Sequence, residues 1–164
     1  MSYQAVILTV SDSCAAGTRT DTSGPAIRTM LENAGFAVQA MQTVPDEEGQ
    51  ISAAIVHACD ILQADLVVTT GGTGLSPRDV TPEATLAVLD REIRAIPVAM
   101  WVEGLKSTPR AMLSRAVAGT RGNTLILNVP GSEKAARENL GAVVGTLEHA
   151  MRMIAAGGMA ESFS

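Results

Sequence analysis

The sequence predicts an α/β fold: a three-layer sandwich with a mainly parallel sheet covered by helices on both faces, plus a C-terminal antiparallel strand pair. Three observations carry this. Strand-like and helix-like segments alternate β-α-β-α-β-α along the first half of the chain, a pattern that needs helical crossovers between parallel strands. Leu66-Val67-Val68 is apolar and β-branched, as strands buried on both faces are. Farther on, two strand-like runs flank Thr120-Arg121-Gly122-Asn123, a link too short for a parallel crossover.

Taken in order, Tyr3 to Val10 reads as a buried first strand, followed by a polar loop from Ser11 to Ser23. A helix is expected from Gly24 to Ala34, with Gly35 as its stop, because glycine tolerates the left-handed conformation that ends helices. Phe36 to Thr43 alternates in part and reads as strand two. Pro45-Asp46-Glu47-Glu48 opens a helix running to Ala64, its early acids suiting the positive helix end. Asp65 to Thr70 is strand three. Thr81 is an expected N-cap with Pro82 in the first turn and Glu83 behind it, for a helix reaching Arg91. Val98 to Lys106, between Pro97 and Pro109, reads as a short helix. Met112 to Gly119 and Thr124 to Val129 are the strand pair. The last helix runs from Ser132 to Ala156 and is stopped by Gly157-Gly158. No repeat, linker or low-complexity stretch divides the chain, so residues 1–164 read as one domain.

Composition narrows the function. Hydrophobic residues make up 46% of the chain but aromatics only 2%, so Ala, Val, Leu, Ile and Met must build the core. The net charge of −5 argues against general nucleic-acid binding, which favours a basic face. Cys14 and Cys59 form no Cys-x-x-Cys pair, and His57 and His149 have no zinc-like spacing. Two unpaired cysteines suit a reducing cytoplasm. The chain has no secretory leader pattern and no apolar run near the roughly 18 residues of a membrane span.

The most informative stretch is Thr69-Thr70-Gly71-Gly72-Thr73-Gly74-Leu75-Ser76-Pro77-Arg78-Asp79-Val80-Thr81-Pro82-Glu83. A glycine loop leaves a buried strand, and an acidic residue stands before a strong helix start. Gly71, Gly72 and Gly74 let the backbone turn tightly and offer N–H groups to an anion. Asp79 stands where a carboxylate can hold a divalent cation against phosphate oxygens. The loop lacks the lysine of a Walker motif and the third glycine of the dinucleotide fingerprint. In parallel α/β folds ligands bind beyond the carboxyl ends of the strands. That rule gathers Ser11-Asp12-Ser13, Pro45-Asp46-Glu47, Gly71 to Asp79 and Asn128-Val129-Pro130-Gly131-Ser132 on one edge.

Those segments, with Asp21-Thr22-Ser23-Gly24 and Met112-Leu113-Ser114-Arg115, resemble in order the molybdopterin adenylyltransferases: the MogA-type proteins, the gephyrin G domain and the plant counterpart. The resemblance runs from Val6 to the final helix. It implies an α/β sandwich, usually trimeric, and a cytoplasmic step of molybdenum cofactor biosynthesis. In that step Mg²⁺-ATP adenylylates molybdopterin and releases pyrophosphate, and the product passes to a molybdate-insertion protein. By the same resemblance Asp46 and Asp79 are the catalytic pair and hold Mg²⁺. Ser11, Asp12, Gly71, Gly72, Thr73, Gly74, Ser114, Asn128, Pro130 and Gly131 are expected to bind nucleotide or molybdopterin. The residues alone leave plainer readings open. Asp46 can cap its helix, Asp79 can shape a turn, Asn128 can precede Pro130 as a turn former, and Ser114 can face outward from a strand. Arg110 and Arg115 can be solvated charges or can steer an anion. Thr22 stands where the family often has a basic residue. The alternative function is a MoaB-like binder or carrier of molybdopterin without efficient turnover.

Overall fold

The computed structural model describes residues 2–156. Six strands form one sheet in the order β2-β1-β3-β6-β5-β4. They are β1 (Gln4–Val10), β2 (Ala37–Val44), β3 (Leu66–Thr70), β4 (Arg91–Glu92), β5 (Ala118–Arg121) and β6 (Thr124–Val129). β2, β1, β3 and β6 run parallel, whereas β5 pairs antiparallel with β6 and β4 with β5. The predicted class therefore holds, with the antiparallel edge at the end of the sheet.

Alternation along the strands builds two cores. Ile7, Val68 and Leu127 face one layer, with Ile27, Leu31, Met100, Leu140 and Leu147. Val6, Leu8, Val67 and Ile126 face the other, with Ile51 and Ile55. The first layer is α2 (Ser23–Asn33), α5 (Ala95–Leu105) and α6 (Glu133–Ala155); α3 (Glu48–Val56) and α4 (Thr81–Leu86) form the second. Each fully buried Ile or Leu contributes on the order of 1.5–3 kcal/mol through burial. That supplies the aliphatic core that so aromatic-poor a chain requires. Among the described residues no helix is long and apolar enough to cross a membrane.

Several boundaries differ from expectation for local reasons. The loop after β1 contains one helical turn, α1 (Asp12–Ala15), capped where Ser11 Oγ accepts from Cys14 N at 3.2 Å. α2 ends as expected before Gly35, whose φ is +92°. α3 passes into a π-helical turn, His57–Ile61, and ends there, short of Ala64. Within that turn Cys59 is buried, and desolvation pushes its thiol up to about 11, so it is an inert packing group.

α4 stops at Leu86 because the chain leaves the helix to pair. Asp90 N donates to Thr120 O at 2.8 Å and Ile93 N to Ala118 O at 2.8 Å, framing the unexpected β4. A side chain at Gly119 would strike the backbone of Arg91, so glycine there permits the approach. The strand expected from Met112 begins only at Ala118. Pro109–Leu113 is a 3₁₀ turn, capped where Thr108 Oγ1 accepts from Arg110 N at 3.2 Å. The expected Gly157-Gly158 stop of α6 lies outside the described residues.

Candidate active site

β1 and β3 lie side by side, yet the chain leaves β1 toward β2 on one flank and returns to β3 on the other. Beyond the carboxyl ends of two strands so arranged, the loops diverge and leave a crevice. A cavity of about 640 Å³ opens there. Thr9, Val10 and Ser11 line it from β1, and Thr70 to Gly74 from β3. Pro130, Gly131 and Ser132 close in after β6, and Asp46 and Asp79 complete the sheet-side wall.

The glycine loop is shaped by what approaches it. Gly71 and Gly72 have φ of +101° and +70°, values that favour glycine. A Cβ on Gly72 would press on Thr81 Oγ1 and lie 3.1 Å from Asp46 Oδ1, and one on Gly74 would lie 2.9 Å from Asp79 Oδ2. The absent side chains admit the two carboxylates. Thr81 is not the N-cap; Val80 is. The Thr81 hydroxyl instead donates to Gly71 O at 2.9 Å while its N–H donates to Gly72 O at 3.1 Å. Thr81 thus pins the loop to α4. Gly71 N–H is spent on Val129 O at 3.1 Å. The N–H groups of Gly72, Thr73 and Gly74 make no such bond among the described residues.

Asp46 and Asp12 exchange hydrogen bonds: Asp12 N donates to Asp46 Oδ2 at 2.9 Å and Asp46 N to Asp12 Oδ1 at 3.0 Å. Arg78 forks onto both Asp12 oxygens at 3.1 and 3.0 Å and reaches Glu47 at 3.0 Å. This guanidinium holds the Asp12 carboxyl below the usual carboxylate range. Asp46 moves the opposite way. Loss of solvent around its carboxylate is the main cause, and the nearby Asp12 and Asp79 charges add to it, against the Asp12 N–H and Arg78. Asp46 Oδ1 is buried with no hydrogen-bond partner. Asp79 has one oxygen taken by Ser76 N at 3.0 Å. A desolvated, partnerless carboxylate oxygen beside a second carboxylate suits a divalent cation. Among the described residues no cluster of three or more His, Cys, Asp or Glu forms a complete protein cage. Two carboxylates such as Asp46 and Asp79 are a donor set that Mg²⁺ accepts, its shell being completed by water and phosphate.

The other expected site residues divide. Ser11, Ser114, Pro130 and Gly131 line the cavity. A Cβ on Gly131 would lie 3.1 Å from Gly71 Cα, so the two loops touch through glycines. Ser114 is on no strand; it ends the 3₁₀ turn. Asp12 is committed to Arg78 and does not line the cavity. Asn128 is wholly buried beneath the cavity rather than on its wall. Its amide donates to Thr69 Oγ1 at 2.8 Å and Thr85 Oγ1 at 3.1 Å and accepts from Val117 N at 3.1 Å. With all these partners Asn128 ties β6, β3, α4 and the entry to β5 together.

Arg115 is a brace rather than a solvated charge. Its guanidinium donates to Gly74 O at 2.9 Å and Asp79 O at 2.7 Å and pairs with Glu83, and its N–H donates to Thr73 O at 2.8 Å. Asp21 stands out in the sequence only as part of a motif. In the fold its carboxylate accepts from Thr9 Oγ1 at 2.7 Å and Gly24 N at 3.1 Å, fixing α2 against the cavity. Arg19 lines the same wall as Thr22, so a cation is present three residues before the position where the family often has one. Gly104, Glu138 and Asn139 also line the cavity. They lie in helices, away from the strand ends and loops where the sequence points to a site.

Comparison with known proteins identifies the family and agrees with the fold. The family model of the probable molybdopterin binding domain matches residues 6–149. The molybdenum cofactor synthesis protein cinnamon of Drosophila melanogaster is 41% identical over 149 residues, covering 90% of this chain but 25% of that protein. The chain thus spans about a quarter of that relative's length. The molybdopterin adenylyltransferase of Helicobacter pylori J99 is 38% identical over 152 residues, covering 90% of this chain and 85% of the relative. The crystal structure of the molybdopterin biosynthesis enzyme MoaB from Thermus thermophilus superposes with a TM-score of 0.89 at 49% identity, covering 94% and 97% of the two chains.

Proposed function

The chain belongs to the family of probable molybdopterin binding domains, and from that premise we propose that it is a molybdopterin adenylyltransferase of molybdenum cofactor biosynthesis, residues 1–164 forming one such domain. Its substrates are molybdopterin and ATP. The terminal phosphate oxygen of molybdopterin forms a bond to the α-phosphorus of ATP. The bond from that phosphorus to the β-phosphate bridge breaks, and pyrophosphate leaves with the electron pair. The nucleophile is already ionised, so the chain supplies no general base.

The observation that carries this reading is the partnerless, buried Oδ1 of Asp46 beside the glycine loop. Asp46 and Asp79 would hold Mg²⁺. Bound there, the ion would neutralise charge on the triphosphate. The N–H groups of Gly72, Thr73 and Gly74 would donate to phosphate oxygens. Thr81, Arg115 and Arg78 keep the donors and carboxylates in position, so no reorganisation is needed as charge develops. Asn128 acts only as a support for that wall.

The same reading carries a cytoplasmic location, which two free cysteines support. It also carries assembly as a homotrimer and hand-over of the product to a molybdate-insertion protein. A second reading is a MoaB-like molybdopterin binder without efficient turnover. The identity to the Thermus MoaB is 49%, against 38% to the Helicobacter transferase.

Pyrophosphate release from Mg²⁺-ATP, with and without molybdopterin, separates the two. Release that requires molybdopterin and disappears in Asp79→Asn supports the transferase. Molybdopterin binding by a folded protein with no release assigns the binder.

A further inference from the structure

The chain between Ser11 and Asp21 supplies part of the cavity wall, yet it is fastened to the rest of the fold only at its two ends. Arg19 and Thr20 face the cavity from it. None of residues 12–20 is buried. Internal bonds close the segment into a compact unit. Ala15 N donates to Ser11 O at 2.9 Å, Ala16 N to Asp12 O at 2.9 Å, Gly17 N to Cys14 O at 3.1 Å and Thr18 N to Ser13 O at 3.0 Å. Among the described residues, positions 13–20 make no hydrogen bond outside the segment. A unit with no buried side chain and only its own bonds can move as one piece, without disturbing the core.

The two fastenings differ. At the far end Asp21 accepts from Thr9 Oγ1 at 2.7 Å and Gly24 N at 3.1 Å, which ties it to β1 and α2. At the near end, beyond the Ser11 N–H on Val44 O at 3.0 Å, everything passes through Asp12. Its N–H donates to Asp46 Oδ2, its carboxylate accepts from Asp46 N, and Arg78 grips both its oxygens while also holding Glu47. The Arg78 and Asp12 side chains are 54% and 48% exposed, so water can replace these bonds and the fastening is reversible. We propose that residues 12–20 are a lid on the cavity, held shut by an Asp12 latch. Asp12 and Arg78 are then positioning residues that set how often the cavity opens for nucleotide to enter and pyrophosphate to leave. Asp46 couples the lid to the site. Its Oδ2 serves the latch, while its Oδ1 stands partnerless by the glycine loop. A carboxylate fixed by a cation keeps Oδ2 in place for the Asp12 N–H, so ligand loading and closure reinforce each other. The lid rests on the ATP reading above.

Cys14 rides on the lid and is partly exposed, whereas Cys59 is buried, so a thiol reagent reads lid opening at Cys14. In the full chain Arg78→Gln is expected to speed Cys14 labelling about fivefold, the scale of a lost ion-pair network. Stopped-flow should show a fluorescent Mg²⁺-ATP analogue leaving faster by a similar factor. Arg78→Lys, a cation that cannot fork, should restore part of both effects. Saturating Mg²⁺-ATP should slow labelling of the unaltered chain. Asp12→Asn keeps the side-chain shape and drops the charge that Arg78 grips, so it carries the test if Arg78→Gln fails to fold. Equal labelling in the latch variants and the unaltered chain overturns the proposal, as does labelling that ignores Mg²⁺-ATP. Faster labelling with unchanged dissociation overturns it too, since the segment is then a surface loop and gates nothing. An unaltered chain that binds no ATP removes the nucleotide reading and the lid with it. ATP binding that persists, with both rates unmoved by Arg78→Gln, removes the lid alone.

Discussion

Asp46 holds a carboxylate oxygen buried and bare among like charges, an arrangement that costs the fold stability. The sign of that cost is testable. A carboxyl whose folded pKa is raised above its unfolded value near 3.8 favours the folded state most when protonated. The favourable contribution is full below the unfolded value and is lost as pH rises through the folded one. Asp46→Asn should therefore raise the melting temperature at pH 7, with the gain shrinking as the pH falls through the raised pKa; calorimetry across pH 4 to 7 checks this. A melting temperature that drops at pH 7 would mean that the ionised carboxylate is stabilising. The same residue should be needed for turnover. Asp79→Asn is expected to cost about 100-fold or more in adenylyl transfer, the scale of removing one strong electrostatic stabiliser. Asp46→Ala should do likewise, and the double variant should lose far less than the product of the two, since both serve one ion. Asp46 and Asp79 are legible in the sequence because each follows a readable strand and stands beside a turn. Asn128 is equally visible but reads there as a ligand group. Only the fold shows the three hydrogen bonds of its side chain, made to residues 11, 43 and 59 positions away.

The glycine block is the most legible element, and the structure shows what its sequence hides. Glycines and strand end are visible because both are local. The restraints on them are not, since Arg115 is 36 residues from Asp79, whose carbonyl it holds. The truncation of α4 has the same origin: helical propensity through Arg91 loses to pairing with β5, a partner the chain supplies only at Ala118. If Arg115 fixes the loop, Arg115→Gln leaves the carbonyls of Gly74 and Asp79 short of donors. A loss of about 1–3 kcal/mol follows for such groups. Amide hydrogen exchange over residues 73–79 should accelerate while exchange in β1 and β3 stays slow. Adenylyl transfer should fall more than ATP affinity does, because the loop must be placed correctly in the transition state. Uniform acceleration through the sheet would make Arg115 a general stabiliser instead.

At the scale of the molecule, sheet order decides where the chemistry can lie, and a helix face shows what the isolated chain leaves uncovered. The reversal between β1 and β3 opens the cavity whatever the loops contain, which is why α/β alternation alone places the candidate edge. Alternation says nothing of the outer faces. α5 buries Pro97, Met100 and Gly104 inward but leaves Val98, Val102 and Leu105 at 49%, 57% and 45% exposure. They are spaced as one stripe along the helix, and Met112 and Leu113 are exposed on the neighbouring 3₁₀ turn. An apolar stripe of this kind marks an interaction surface when contiguous. In the homotrimer proposed above it is the face on which copies meet. Sedimentation equilibrium at micromolar concentration should then give three times the 17.0 kDa chain mass. Val102→Asp should shift the population toward monomer, because each interface would have to bury an unpaired charge. Val102 lies on the exposed side of α5, so the monomer should keep its fold by circular dichroism. A monomeric wild-type chain would remove the trimer. A Val102→Asp protein that remained trimeric would move the interface to another face while leaving the cavity and its chemistry as described.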